Sequence, residues 1–66
     1  MAILTAREKQ IFNLLICNKN TSDIASLLHI SEKTVRNHIS NVIQKLGVTN
    51  RIQAVLELIK LKEIEL

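Results

Sequence analysis

Proline is absent from this 66-residue chain, and glycine and aromatic residues occur once each, as Gly47 and Phe12. One glycine cannot punctuate the many turns of a sandwich or barrel, and their strands usually draw on aromatic residues that this chain lacks. A single Phe, expected in the core, cannot build the stacking platforms that hold single-stranded nucleic acid. A lone cysteine, Cys17, excludes an internal disulfide; beside Leu14, Leu15 and Ile16 it reads as a small buried hydrophobe. Two histidines and one cysteine, widely spaced, match no zinc signature, so no metal or other cofactor is expected. No apolar run approaches the ~18 residues of a membrane span, and no basic stretch leads into a long apolar one at the N-terminus, so a soluble cytosolic protein is expected, with no membrane partner.

What the chain has is aliphatic. Apolar residues make up 47% of it, dominated by Leu and Ile, which excludes disorder and points to one all-α domain over residues 1–66. Chains this short often need a disulfide, a metal or a second subunit, and only the last is well supplied here. The charge is uneven. Residues 1–32 balance Arg7, Lys9 and Lys19 against Glu8, Asp23 and Glu32, whereas residues 33–56 carry Lys33, Arg36, Lys45 and Arg51 with no acid. A basic segment of this kind is the footprint of a polyanion binder, although an ordinary solvated face has the same composition.

Helical periodicity and cap residues predict four helices, at about 6–17, 21–28, 32–46 and 51–63. Thr5 and Glu8 form a capping box before the first. Thr21 caps the second, whose apolar face is Ile24, Leu27 and Leu28. Ser31 caps the third, in which Val35, Ile39, Val42 and Leu46 form a stripe, and Gly47 ends it in a left-handed cap. His29, in the turn before it, is expected to be structural, since His visits the left-handed region more readily than bulky apolar residues. Asn50 and Gln53 resemble a further capping box. Around the last helix, Ile52, Val55, Leu56 and Ile59 cluster on one side, expected to face the core. Ala54, Leu58 and Leu61 lie roughly 120–180° away and ask for a second partner.

A short helix, a three-residue turn and a longer helix from about 32 make a helix-turn-helix. Ala25 sits where the two helices must cross closely. The longer helix shows a polar face of Lys33, Arg36, Asn37 and Ser40, at i, i+3, i+4 and i+7, suited to the major groove of duplex DNA. An arginine can fork onto guanine and an asparagine onto adenine. Hydroxyls at both helix starts (Thr21, Ser22; Ser31, Thr34) can take phosphate.

The chain resembles the LuxR/GerE-type helix-turn-helix family from Thr5 to about Leu61. The matching residues are Leu4-Thr5, Arg7-Glu8, Ile24-Ala25, Leu28, Ile30-Ser31, Thr34-Val35-Arg36, His38, Ile39, Lys45-Leu46, Val48, Arg51 and Ala54-Val55. The resemblance implies a four-helix transcriptional regulator of the bacterial cytoplasm, associated with the nucleoid and dimerising through its last helix. By position, base contacts fall on Lys33, Arg36, Asn37 and Ser40. Phosphate contacts fall on Thr34, Lys45 and the start of the second helix at Thr21 and Ser22; His38 is expected to combine packing with a phosphate hydrogen bond. The dimer interface is expected on Ala54, Leu58 and Leu61. The run from Ile30 to Asn41 and the Glu-Ile-Glu-Leu66 tail are most similar to free-standing spore-coat regulators of the family, which implies late sporulation genes as targets. The glycine common between the family's first two helices is absent; Asn18 and Asn20 stand there. Three residues before Leu4 leave no room for a receiver or ligand-binding domain, so regulation by abundance is expected. The alternative is an output domain cut from a larger response regulator.

The expected partners are therefore an inverted-repeat duplex, a second copy of the chain and, as a further candidate, RNA polymerase, with no small molecule. Arg51 is expected to pair with Glu8 rather than with phosphate, and Glu63 and Glu65 to be a solvated helix end. A module that binds another regulator through its last helix is the competing class. It predicts only weak DNA binding that collapses with salt. An enzyme is not expected, since the chain offers no nucleophile–base set, metal cluster or phosphate-cradling glycine loop.

Overall fold

The computed structural model describes residues 3–64 and holds four helices, α1 (Ala6–Ile16), α2 (Thr21–Leu28), α3 (Glu32–Leu46) and α4 (Arg51–Lys60). The first three lie within a residue of the positions the sequence predicts. The fourth ends three residues early. Each start is capped by a side chain. Thr5 Oγ1 accepts from the Glu8 amide while Glu8 Oε1 accepts from the Thr5 amide, the expected reciprocal pair. α2 is capped by Asn20 rather than Thr21, which is its first helical residue. The reason is the partner three residues on. Asn20 meets Asp23, whose carboxylate returns the bond to the Asn20 amide, whereas Thr21 meets Ile24, which cannot. Ser31 and Asn50 cap α3 and α4 as expected, but Gln53 Oε1 accepts from the Thr49 amide and hydroxyl instead of the Asn50 amide, so the capping box expected at α4 does not form.

With so little glycine, the helix ends are made in an uncommon way. Four residues take left-handed backbone, Asn18 (φ 66°), His29 (φ 58°), Gly47 (φ 68°) and Lys62 (φ 61°), one after each helix. The amide that follows each of them donates back into the helix: Lys19 to Leu14 O, Ile30 to Ala25 O, Val48 to Ile43 O and Glu63 to Leu58 O, at 2.9–3.3 Å. This is the Schellman closure, which satisfies carbonyls that the helix end would leave open. Three of the four positions hold residues with a Cβ, which costs roughly 1–2 kcal/mol in this conformation for most side chains and less for Asn. Cys17 lies at the first of these ends and is exposed, against the expectation of burial. The helix has already turned outward there, so its apolar neighbours continue the core and Cys17 does not.

α3 packs against each of the other three helices. Its stripe of Val35, Ile39 and Val42 is buried as predicted, against Ile11 and Phe12 of α1, Ile24 and Ala25 of α2, and Ala54 and Leu58 of α4, with Leu46 packed at the margin. Each of these larger aliphatic or aromatic side chains contributes about 1.5–3 kcal/mol through burial. Ala25 is in the core at the α2–α3 crossing, where a small side chain lets the backbones approach. Leu27, expected on the buried face of α2, is exposed. An eight-residue helix turns one narrow side to its neighbours, and Ile24, Ala25 and Leu28 fill it.

The division of α4 is the reverse of the one expected at Ile52, Ala54, Leu56 and Leu58. Ala54 and Leu58 are fully buried in the chain's own core, whereas Ile52 is 72% exposed and Leu56 61% exposed. Val55 and Ile59 are half-buried at the margin. A small residue at 54 lets α4 lie close on α3, and Leu58 then fills the remaining space. Turning the bulkier stripe inward would force the helices apart. Leu61 is exposed beyond the helix end.

The turn at Lys62 sends the chain back across the N-terminal arm. Ile64 is buried in the core, as is Leu4, and Glu63 Oε1 accepts from the Ile3 amide at 2.6 Å and the Leu4 amide at 3.4 Å. Glu63 is therefore not a solvated helix end. Glu65 lies outside the described residues.

The left-handed ends generate a prediction for urea denaturation. Lys62→Gly is expected to gain about 0.5–1 kcal/mol, Asn18→Gly to be near neutral, and Gly47→Ala to lose about 1 kcal/mol. The last loss is expected although nothing lies within 4 Å of a Cβ added at Gly47, so strain rather than space is being measured.

Candidate nucleic-acid interface

Burying Val35, Ile39 and Val42 turns the opposite side of α3 to solvent. Lys33, Arg36, Asn37 and Ser40 all lie there and all are exposed. The structure brings together this part of the set that the sequence singles out, along a helix about 22 Å long. Ser31 accepts from the Thr34 amide, and the Ser31 and Thr34 hydroxyls are bonded at 2.9 Å, so Thr34 is fixed at the helix start and half-buried. His38 is half-buried beside Ile39.

One acid enters this face. Glu32 Oε1 lies 3.6 Å from Arg36 Nη1, and the Thr21 hydroxyl donates to the same oxygen at 3.5 Å. The start of α2 is thereby tied to the exposed face of α3, and Thr21 and Arg36 share one surface. The i, i+4 spacing of Glu32 and Arg36 in the sequence is the signal from which this pair can be found. Both side chains are about half exposed, and a pair of this kind is worth about 0.3–0.5 kcal/mol, so it holds Arg36 only weakly.

One expectation about cations is corrected. Lys45, expected on a phosphate, donates to Glu8 Oε1 at 2.5 Å and to the Ile3 carbonyl at 3.3 Å. Arg51, expected to pair with Glu8, does not; Lys45 has that place. The last turn of α3 runs past the start of α1, so the lysine there reaches the Glu8 carboxylate. Arg51 is exposed and lines an open groove of about 330 Å³ with Arg36, Ile39, Ser40 and Ile43. Burial raises the Glu8 pKa. The Lys45 hydrogen bond, the Thr5 amide, the Lys45 charge and the Thr5 hydroxyl together outweigh burial, so the carboxyl is held below its ordinary value.

Residues 2–58 match the family described as bacterial regulatory proteins, luxR family. The chain belongs to this family. Spore germination protein GerE of Bacillus subtilis is 61% identical over 64 residues, covering 97% of this chain and 86% of GerE. DegU, a transcriptional regulatory protein of Brevibacillus brevis, is 48% identical over 58 residues, covering 88% of this chain but 25% of DegU. DesR of Bacillus subtilis, also a transcriptional regulatory protein, is 50% identical over 52 residues, covering 79% of this chain and 26% of DesR. The solved structure of the transcription factor GerE matches with a TM-score of 0.96 and 58% identity, over 98% of this chain and 97% of that one. The four-helix luxR-type arrangement is thus shared with GerE, and the chain sits in a family of regulators, not of enzymes. Among the described residues no helix is long and apolar enough to cross a membrane.

The Glu8–Lys45 pair carries a pH prediction. A carboxyl held below its ordinary value near 4.5 stabilises the fold fully above that value, and the contribution is lost as pH falls through the lower folded one. Glu8→Gln is expected to cost about 1–3 kcal/mol at pH 7, less than a fully buried pair would because Lys45 is partly solvated. The difference from wild type is expected to shrink in urea titrations at pH 3. An equal difference at both pH values would separate the pair from acid sensitivity.

Proposed function

We propose that this chain is a sequence-specific binder of double-stranded DNA that acts as a homodimer and regulates transcription. The observation that carries the reading is the exposed α3 face, where Lys33, Arg36, Asn37 and Ser40 stand at helical spacing on a helix held by three others. Arg36 is suited to fork onto guanine and Asn37 onto adenine, with Lys33 and Ser40 on neighbouring base edges. Thr21, Ser22, Thr34 and His38 take phosphates that fix the register. Lys45, held by Glu8, is left out of that set.

The second copy docks on the strip that α4 leaves outside, Ile52 and Leu56 with the margins of Val55 and Ile59. This replaces Ala54 and Leu58, which are core residues. A twofold dimer carrying one α3 per copy fits an inverted repeat with half-sites about 34 Å apart. The likeness to spore germination protein GerE supports sporulation genes as targets, in the bacterial cytoplasm, with RNA polymerase as the partner at a promoter.

Selection from random duplexes is expected to enrich a palindrome. On that sequence Arg36→Ala is expected to lose about 1–3 kcal/mol and to relax one base position. Equal losses on specific and random DNA would count against Arg36 as a base reader. Leu56→Glu is expected to sediment as a folded monomer with poor affinity for the palindrome, whereas Leu58→Glu is expected to unfold, because it places a charge in the core. A dimeric Leu56→Glu protein would remove α4 from the interface.

A further inference from the structure

We infer that Arg51 is a second DNA-contacting arginine, holding a backbone phosphate at the edge of the α3 interface on the side toward α4. The inference rests on the DNA-reading role proposed for α3. Arg51 opens α4, yet it lines one open groove with Arg36, Ile39, Ser40 and Ile43 of α3. Two of those residues, Arg36 and Ser40, belong to the proposed base-reading set, so Arg51 borders the same surface from a different helix.

Its charge is not spent inside the protein. Among the described residues the ion pairs are Glu8–Lys45 and Glu32–Arg36, and Arg51 is in neither. Glu8, the acid that the sequence pointed to, is buried and occupied. No acid falls between residues 33 and 56, and Glu57 is six residues along α4, about 9 Å further on and about 120° around the helix. The groove therefore carries two guanidinium groups over an aliphatic floor, with the Ser40 hydroxyl as a neutral donor. The start of α4 adds the positive end of a helix dipole.

Geometry selects phosphate over a base edge. The major groove is about 12 Å wide, and a helix with its side chains nearly fills it. Side chains that flank α3 from a neighbouring helix meet the strands bordering the groove and not the bases within it. A guanidinium suits this contact because its fork matches two phosphate oxygens at once. Arg51 also precedes Ile52 of the proposed dimer strip, so the phosphate lies between the reading helix and the centre of a two-fold site.

The test uses the full chain, the palindrome recovered by selection and a random duplex of equal length, each titrated over a range of salt. Arg51→Ala is expected to weaken both duplexes by a similar factor, about 5–30-fold, and to reduce the salt slope by about two per dimer, one phosphate from each copy. Base preference and dimeric sedimentation are expected to persist, and Arg51→Lys to recover part of the loss with the original salt slope. Unchanged affinity and salt slope in Arg51→Ala would overturn the inference. So would conversion to a monomer, which would make Arg51 an interface residue, or loss of preference at one base with the salt slope intact, which would make it a base reader. Wild-type protein that binds no duplex at all would overturn the reading of α3, and this inference with it. Binding by wild type with no effect of Arg51→Ala would overturn this inference alone.

Discussion

A buried carboxylate cannot stay ionised without partners, and among the described residues Glu8 is the one polar residue in the core. Its oxygen accepts from the Thr5 amide and from Lys45. Those bonds join the start of α1 to the last turn of α3, and Lys45 also holds the carbonyl of the N-terminal arm at Ile3. Much of the remaining arrangement follows from this choice of partner. The arm is held where Leu4 can be buried and where Glu63 can take its amides, so the tail closes the core with Ile64. The end of α3 is anchored, and its exposed polar face is fixed relative to α1. Because Lys45 satisfies Glu8, Arg51 is left on the surface beside Arg36.

The scarcity of glycine has a structural answer. Four helices packed into a chain with dimensions of 28 × 22 × 21 Å need three sharp connections, and the returning tail adds a fourth turn; each is made by a left-handed residue with a closing backbone bond. Glycine makes one of them. Asn18, His29 and Lys62 make the others and accept strain that the closing bonds and the packing of the next segment offset. The turn at His29 has the most to do with function, because it sets the angle between α2 and α3. The amide of Ile30 bonds to the carbonyl of Ala25, the same small residue that permits the close crossing.

The polar face of α3 was legible in the sequence because a single helix with one buried stripe has only one way to face. Val35, Ile39 and Val42 settle the buried side, and Lys33, Arg36, Asn37 and Ser40 must then lie outside. The two stripes of α4 allowed no such deduction. Periodicity reports that two apolar sides exist, not which one meets α3, and the side with more aliphatic surface is the one left outside. Ala54 decided the matter through the close approach it permits, a property of the pair of helices and not of α4 alone. The partner of Glu8 was hidden for a similar reason. A cation 37 residues away and one 43 residues away are equivalent until the crossing of α1 and α3 brings one of them near.

The sequence by itself determined the helices, the N-caps of α1, α3 and α4, the helix-turn-helix pairing and the residues that face outward on α3. These depend on local interactions, on three- and four-residue spacing, and on the need to bury one stripe per helix. Tertiary structure alone decided which lysine or arginine neutralises Glu8, which stripe of α4 is core, and how the tail beyond Lys62 returns over the N-terminal arm. Each is a choice between chemically similar groups. Such choices are made by distance and available volume, which arise only when the helices have packed.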